Sequence, residues 1–263
     1  MKKTNIYKKL LPFFIITYCN CIISSEDTPE CSLEHKAGVW FTCIQSSKLS
    51  DSSQAKYVAE LHTRFRDGMR FYHQNILRFG IGYPWKECSL WLGYDFIPSS
   101  NDKKQTFELE NRLWQQICCQ VKTKKGNQLG LRTRLEERFR ENKHGTALRL
   151  RQKWSIRAIK VFDKVNVHIS DELFLNLKRP PDWAQKTTVN QNRLRVGLEL
   201  LVKNHWTLYI GYLNRLIPTK EKKYMDHILE IALKHYSVYL ALETKTNKLF
   251  IFLKNPLHLY IKV

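Results

Sequence analysis

The chain predicts an all-β fold: a single closed antiparallel transmembrane β-barrel of about ten to twelve strands, twelve preferred, with an Arg/Glu-lined lumen. Three observations predict it. Charged and apolar side chains alternate with a period of two. Such segments recur down the chain, each about ten residues long. No segment beyond the N-terminus is a candidate transmembrane helix, and only helices and closed barrels satisfy every backbone group in lipid.

The alternation is plainest between Thr106 and Arg140. In TFELENRLWQQICCQV, Glu108, Glu110, Arg112, Trp114, Gln116 and Gln120 share one face, and Leu109, Leu113, Ile117 and Val121 share the other. After the polar turn KTKKGNQ, Arg132, Arg134, Glu136, Arg138 and Arg140 oppose Leu131, Leu135 and Phe139. A strand turns successive side chains to opposite faces, so each segment has a charged wall and an apolar wall. One such hairpin could bury its apolar wall in a soluble sheet. A whole chain of them points to apolar side chains outside and ions inside.

The other elements follow in order. GVWFTCIQ is the first strand expected, and residues 57–66 alternate Tyr57, Ala59, Leu61 and Phe65 against Glu60, His62, Arg64 and Arg66. Leu77, Phe79, Ile81 and Tyr83 then oppose Gln74, Arg78, Gly80 and Gly82; Leu90, Leu92, Tyr94 and Phe96 oppose Ser89, Trp91, Gly93 and Asp95. Past Arg140, Arg149, Arg151, Lys153 and Arg157 face away from Leu148, Leu150, Trp154 and Ile156. ISDELFLNLK places Glu172, Asn176 and Lys178 inside, with Asp171 out of place on the apolar wall. Gln191, Arg193, Arg195, Glu199 and Lys203 oppose Leu194, Val196, Leu198, Leu200 and Val202. WTLYIGYLNRL and MDHILEIALKHY supply two more strands.

The N-terminus divides off. Lys2, Lys3, Lys8 and Lys9 precede the short apolar run LLPFFIITYCNCII, and Ser24-Ser25 offers small residues for cleavage, so residues 1–25 read as a secretory signal. Residues 26–37 lack periodicity and read as a mobile leader, residues 38–236 as the barrel, and 237–263 as a further strand, for instance Leu249 to Phe252, or an extension. With twelve strands both termini lie on the periplasmic side.

Cys19 and Cys21 leave with the signal. Cys31, Cys43, Cys88, Cys118 and Cys119 remain, an odd number with no metal spacing and no CxxC motif. Cys118 and Cys119 read as small strand residues, and a Cys31–Cys43 disulfide is the one pairing weighed. Trp40, Tyr83, Trp154, Trp206 and Tyr209 sit near strand ends, where an interfacial girdle would place them. Gly80, Gly82, Gly93, Gly197 and Gly211 fall on inward faces, where they would relieve crowding against arginines.

Glu108, Glu110, Arg112, Arg132, Arg134, Glu136, Arg138, Arg149, Arg151, Glu172, Arg193, Arg195 and Glu199 would face one lumen as a charge ladder. The structural alternative is a ladder of ion pairs filling a narrow barrel, as in small barrels packed with side chains. The functional one is a water-filled pore, anion-favouring because arginines outnumber acids. An enzyme would need a nucleophile; His62, His168, His227 and Ser170 are available to a lipid hydrolase, but no GxSxG setting accompanies them, and no catalytic residue is assigned. No metal ligand set and no cofactor are expected. A formal net charge of +20 invites nucleic-acid binding. The Lys and Arg are spread over many strands, however, and the secretion signal argues against access to nucleic acid. Basic stretches such as KTKK (122–125), KEKK (220–223) and ENK (141–143) would more readily meet lipopolysaccharide.

ENRLWQQ (110–116), RTRLEERF (132–139), LRLRQKW (148–154), DELFLNL (171–177), QNRLRVGL (191–198) and GYLNRL (211–216) resemble, in this order, the signatures of a bacterial outer-membrane β-barrel family known as domain of unknown function 2490. ILRFGIGY and LWLGYDF resemble its earlier strand pair. The resemblance implies a barrel in the outer membrane of a Gram-negative bacterium, in contact with outer-membrane lipid and lipopolysaccharide and inserted by the barrel-assembly machinery. It implies no reaction and no oligomeric state. The chain departs from the pattern after Tyr236, where SVYLALETKTNKLFIFLKNPLHLYIKV continues and finishes at Val263 rather than at an aromatic residue.

Overall fold

Period-two alternation produces strands throughout, and the strands find partners in chain order. The computed structural model describes residues 32–252, except 51, 102–105, 142, 163, 182, 184–186, 204, 220–221, 240 and 245–248. It contains β1 (Leu33–Lys48), β2 (Lys56–Arg66), β3 (Phe71–Trp85), β4 (Cys88–Asn101), β5 (Thr106–Lys122) and β6 (Gln128–Arg140). There follow β7 (Ala147–Phe162), β8 (Val165–Lys178), β9 (Val189–Lys203), β10 (Trp206–Pro218), β11 (Lys223–Tyr239), β12 (Ala241–Thr244) and β13 (Leu249–Phe252).

The first eleven strands close into a barrel by pairing with their neighbours in sequence, and β1 closes on β11. The closure is parallel: Gly38 lies opposite Ile228, and Cys43 opposite Leu233. The barrel is therefore mixed, not purely antiparallel as expected. The reason is arithmetic. In an up-and-down meander every step reverses direction, so with an odd strand count the first and last strands run the same way. Leu33 and Tyr239 consequently lie at opposite ends of the barrel, not together as the twelve-strand reading required. The preferred twelfth strand does not join. Residues Leu249–Phe252 do form a strand, but it pairs with Ala241–Thr244 in a separate hairpin. With β11 already paired to β1, no open edge is left to recruit it.

Two boundaries also move. β1 begins at Leu33, so part of the segment read as a mobile leader is paired strand, Leu33 lying opposite Lys223. β11 carries the barrel to Tyr239, past the expected end at 236. The signal reading for residues 1–25 falls outside the described residues.

The two walls separate as the alternation demands. Phe79 and Leu92 are 58% and 62% exposed on the outside, and Leu113, Ile117, Val196, Leu198, Ile210, Tyr212 and Leu229 are exposed with them. The inward positions hold most of the buried residues, among them Trp40, Trp114, Phe174 and a small apolar cluster of Trp40, Leu213 and Ile228, while Trp154 and Asp171 are buried against each other's strands on the outer wall. Of the aromatics expected in a girdle, Tyr83 and Trp206 are exposed, whereas Trp40, Trp154 and Tyr209 are buried. The inward glycines make room for rings rather than for arginines: a Cβ at Gly93 or Gly80 would collide with Trp114, at Gly82 with Trp91, and at Gly197 or Gly211 with Tyr209.

Sulfur chemistry differs from the expectation too. Cys88 and Cys119 are disulfide-bonded across β4 and β5, beside the two-residue turn Lys86–Glu87. Cys118 remains a free thiol, as does Cys43, so the disulfide weighed from Cys31 does not use Cys43. Cys31 itself lies outside the described residues.

Candidate functional site

The candidate site is the barrel interior, because there the charged side chains of most strands converge. Three buried carboxylates act as nodes. Glu110 on β5 accepts from Arg138 at 2.7 Å and 3.0 Å, from Arg140 at 2.7 Å and from Arg112 at 2.6 Å. Glu136 on β6 accepts from Arg149 and from Arg151, the latter at 2.6 Å. Glu172 on β8 accepts from Arg151 at 2.8 Å and Arg195 at 3.2 Å, and pairs with Arg132. Arg195 continues the network to Glu230 at 3.0 Å. A second branch runs from Asp95 through Arg78 to Glu60, then to His62 and Thr42. The period of two places these groups on one wall. The planar fork of arginine lets one guanidinium span two carboxylates on neighbouring strands.

Aromatic rings fill the gaps between the charges. Arg134 lies 4.1 Å from the centroid of Trp114, and Arg151 and Arg193 each lie 4.5 Å from that of Phe174. Arg64 stacks on Trp40 at 3.9 Å. Trp183, in the connection between β8 and β9, is buried against Arg138 and Arg140. Within this packing a cavity of about 410 Å³ remains, lined by residues such as Trp40, Arg64, Gln191, Arg193 and Glu230. Its lining carries thirteen Arg and Lys side chains against five Glu. Some of those cations pair with carboxylates set behind the lining, such as Asp95, Glu136 and Asp226.

Of the thirteen ladder residues expected from the sequence, Glu110, Arg134, Glu136, Arg138, Arg149, Arg151, Glu172, Arg193 and Glu199 are buried. Arg112, Arg132 and Arg195 are half-buried, and Glu108 is exposed near the end of β5, although it borders the cavity. Asp171, the misfit on the apolar wall, accepts a hydrogen bond from Asn192 at 2.8 Å, so its carboxylate has a cross-strand partner. The residues considered for a hydrolase are scattered. Ser170 Oγ is buried with no hydrogen-bond partner, His62 is bonded to Glu60 and Thr42, and His168 packs edge-on to Tyr209. His227 bonds to His35 at 2.8 Å and to Tyr212 at 2.5 Å in an exposed chain away from Ser170. No group of three potential metal ligands occurs among the described residues.

Glu60, Arg78, Asp95, Arg215, Asp226 and Glu230 are not among the thirteen expected ladder residues, although they complete the network. The sequence reading gave Trp40 to a lipid girdle and assigned no role to Phe174. The signal was present: Trp114 shares parity with Arg112 and Gln116, and Phe174 with Glu172 and Asn176.

A family model described as "Protein of unknown function (DUF2490)" matches residues 37–226. An uncharacterized protein of Methylorubrum extorquens is similar, 27% identical over 194 residues that cover 72% of this chain and 84% of the relative. No solved structure matches.

Proposed function

The chain belongs to the DUF2490 family, and from that premise we propose that it is an integral outer-membrane β-barrel, not an enzyme, whose interior is filled by an arginine–carboxylate network. One observation carries the reading. Around most of the barrel the exposed wall is apolar and the buried wall carries the charges, with Trp40, Leu213 and Ile228 an apolar sector of that inner wall, a pattern that reverses a soluble protein's. Lipid is the solvent that this arrangement suits, since large exposed apolar patches on soluble proteins are rare and prone to aggregation. The Cys88–Cys119 disulfide supports an oxidising compartment, as on the periplasmic side of the envelope.

The interior favours a structural barrel over an open pore. Glu136, Glu172, Asp95, Trp114 and Phe174 are essentially inaccessible, and each carboxylate is held by at least one guanidinium. A second reading, a narrow anion-favouring channel, rests on the cationic excess of the cavity lining. Outer-membrane lipid surrounds the barrel in either case, and the barrel-assembly machinery inserts it. The basic stretches considered for lipopolysaccharide divide between the two ends: the β5–β6 turn after Lys122 and the β10–β11 connection at Lys222 are at opposite rims. Lys143 in the β6–β7 connection shares the rim of Lys222, and only one rim can meet lipopolysaccharide.

Expression in a Gram-negative host tests both readings. The protein should stay with outer membranes through urea and alkaline washes, and should migrate faster on gels unheated than boiled. Release by high salt would identify a peripheral basic protein, because screening weakens only surface electrostatics. In planar bilayers the structural reading expects no steady current; a current whose reversal potential under a salt gradient reports anions would favour the channel.

A further inference from the structure

The arginine network is not fully balanced, and the imbalance is local. Arg64 on β2 and Arg193 on β9 are 9% and 6% exposed and line the same cavity. Neither forms an ion pair with a carboxylate among the described residues, and the Nε of each is buried without a hydrogen-bond partner. Arg64 has one side-chain acceptor, Gln74 Oε1 at 2.6 Å. Arg193 has none. Both are held in place by rings. Arg64 lies 3.9 Å and Arg193 5.1 Å from the centroid of Trp40, and Arg193 also sits 4.5 Å from that of Phe174. The two guanidinium carbons therefore lie no further apart than the sum of their distances to one indole.

Two buried like charges at that separation repel, and a buried donor without an acceptor costs free energy. The other arginines that line this cavity each have a carboxylate, as Arg78 has Asp95, Arg138 has Glu110 and Arg149 has Glu136, and Lys153 is the one further lining cation without one among the described residues. The departure occurs where there is open space. Trp40 and Phe174 pack against the two guanidiniums, and it is the terminal Nη groups, which are not fully buried as the Nε atoms are, that a group in the cavity can reach.

We infer that Arg64 and Arg193 form a binding site for an oxyanion, the carboxylate or phosphate group of a small solute, inside the barrel. A planar fork suits either group, and two forks supply enough donors to surround one. The cavity, at about 410 Å³, is of the size that small-molecule sites occupy. This inference stands whether or not the barrel conducts and whether or not it lies in lipid.

The test uses the full folded barrel in detergent micelles, titrated calorimetrically with inorganic phosphate and, separately, with citrate. At least one should bind saturably and raise the melting temperature, as a ligand of the folded state must. Arg64→Gln and Arg193→Gln should each weaken binding about tenfold or more, and Arg64→Lys and Arg193→Lys, which keep the charge but lose the fork, should fall between. Lys124→Gln, on the exposed β5–β6 turn, should bind as the wild type does. Absence of saturable binding and of any thermal shift in the wild-type barrel overturns the site, as does an equal loss in Lys124→Gln. The wild-type measurement decides even if a variant fails to fold. Conductance and membrane association are measured separately, so failure of this site leaves the proposed function standing.

Discussion

Arg78 on β3 and Asp95 on β4 are joined by a two-pronged bond, Nε to Oδ1 at 2.7 Å and Nη2 to Oδ2 at 2.8 Å. The strand register sets them directly opposite, and Asp95 is wholly buried. Trp114 Nε1 donates to the same Oδ1 at 2.7 Å, so one carboxylate ties three strands. Replacing both partners of such a pair by apolar groups can be nearly neutral, but removing one leaves a buried charge unmatched.

Asp95→Ala should therefore destabilise the barrel by about 3–5 kcal/mol. Urea unfolding in micelles, followed by tryptophan fluorescence, measures it. A loss no larger than that of an exposed Lys124→Ala control would mean that the network carries little of the stability.

Gly93 should tolerate no side chain. A Cβ there would overlap Trp114 Cζ2 and the carbonyl oxygen of Phe79, and the second is backbone that cannot swing away. Gly93→Ala should cost about 1–3 kcal/mol by overpacking. A smaller residue at Trp114 should recover only part of that, because the Phe79 contact persists. Full recovery in the double variant would place the whole conflict on the indole.

The Cys88–Cys119 bond closes a loop with a sequence separation of 31. Reduction, or Cys88→Ser with Cys119→Ser, should lower unfolding free energy by about 2–4 kcal/mol. Urea titrations with and without dithiothreitol read this directly. Cys118→Ser should leave the dithiothreitol effect unchanged, since its thiol is free.

A charge on the apolar wall should be expensive only if that wall meets lipid. Leu198→Arg should cost about 2–4 kcal/mol for a residue near the middle of a bilayer, and less near an interface. Folding yields into vesicles, compared with yields into a short-chain detergent, measure the dependence. Equal tolerance in both would weaken the membrane reading.

Strand identity and facing were legible because a period of two needs no tertiary information. Arg132, Arg134, Glu136 and Arg138 alternate with Leu131, Leu135 and Phe139 in the sequence, and the structure turns them to opposite walls. What depends on register or closure was not legible. Nothing local says that Cys88 will oppose Cys119 rather than Cys118, since a one-residue slip exchanges them. Nor does any local pattern say that β1 will pair with β11 in parallel, which fixes the odd strand count and leaves Leu249–Phe252 outside the barrel. The unpaired state of Arg193 was hidden for the same reason. Its neighbours Trp40 and Phe174 come from β1 and β8, and parity alone cannot say which inward groups will touch.

On the proposed function Leu198 and its neighbours face lipid while the arginines face inward. Electron paramagnetic resonance of a spin label at Leu198→Cys, with Cys43 and Cys118 replaced by Ser and the barrel in lipid nanodiscs, reads out which solvent that wall meets. Dissolved oxygen should relax the label more strongly than a water-soluble nickel chelate does, because oxygen concentrates in the acyl chains. Stronger relaxation by the nickel chelate would put that wall in water and rule out a lipid-facing barrel.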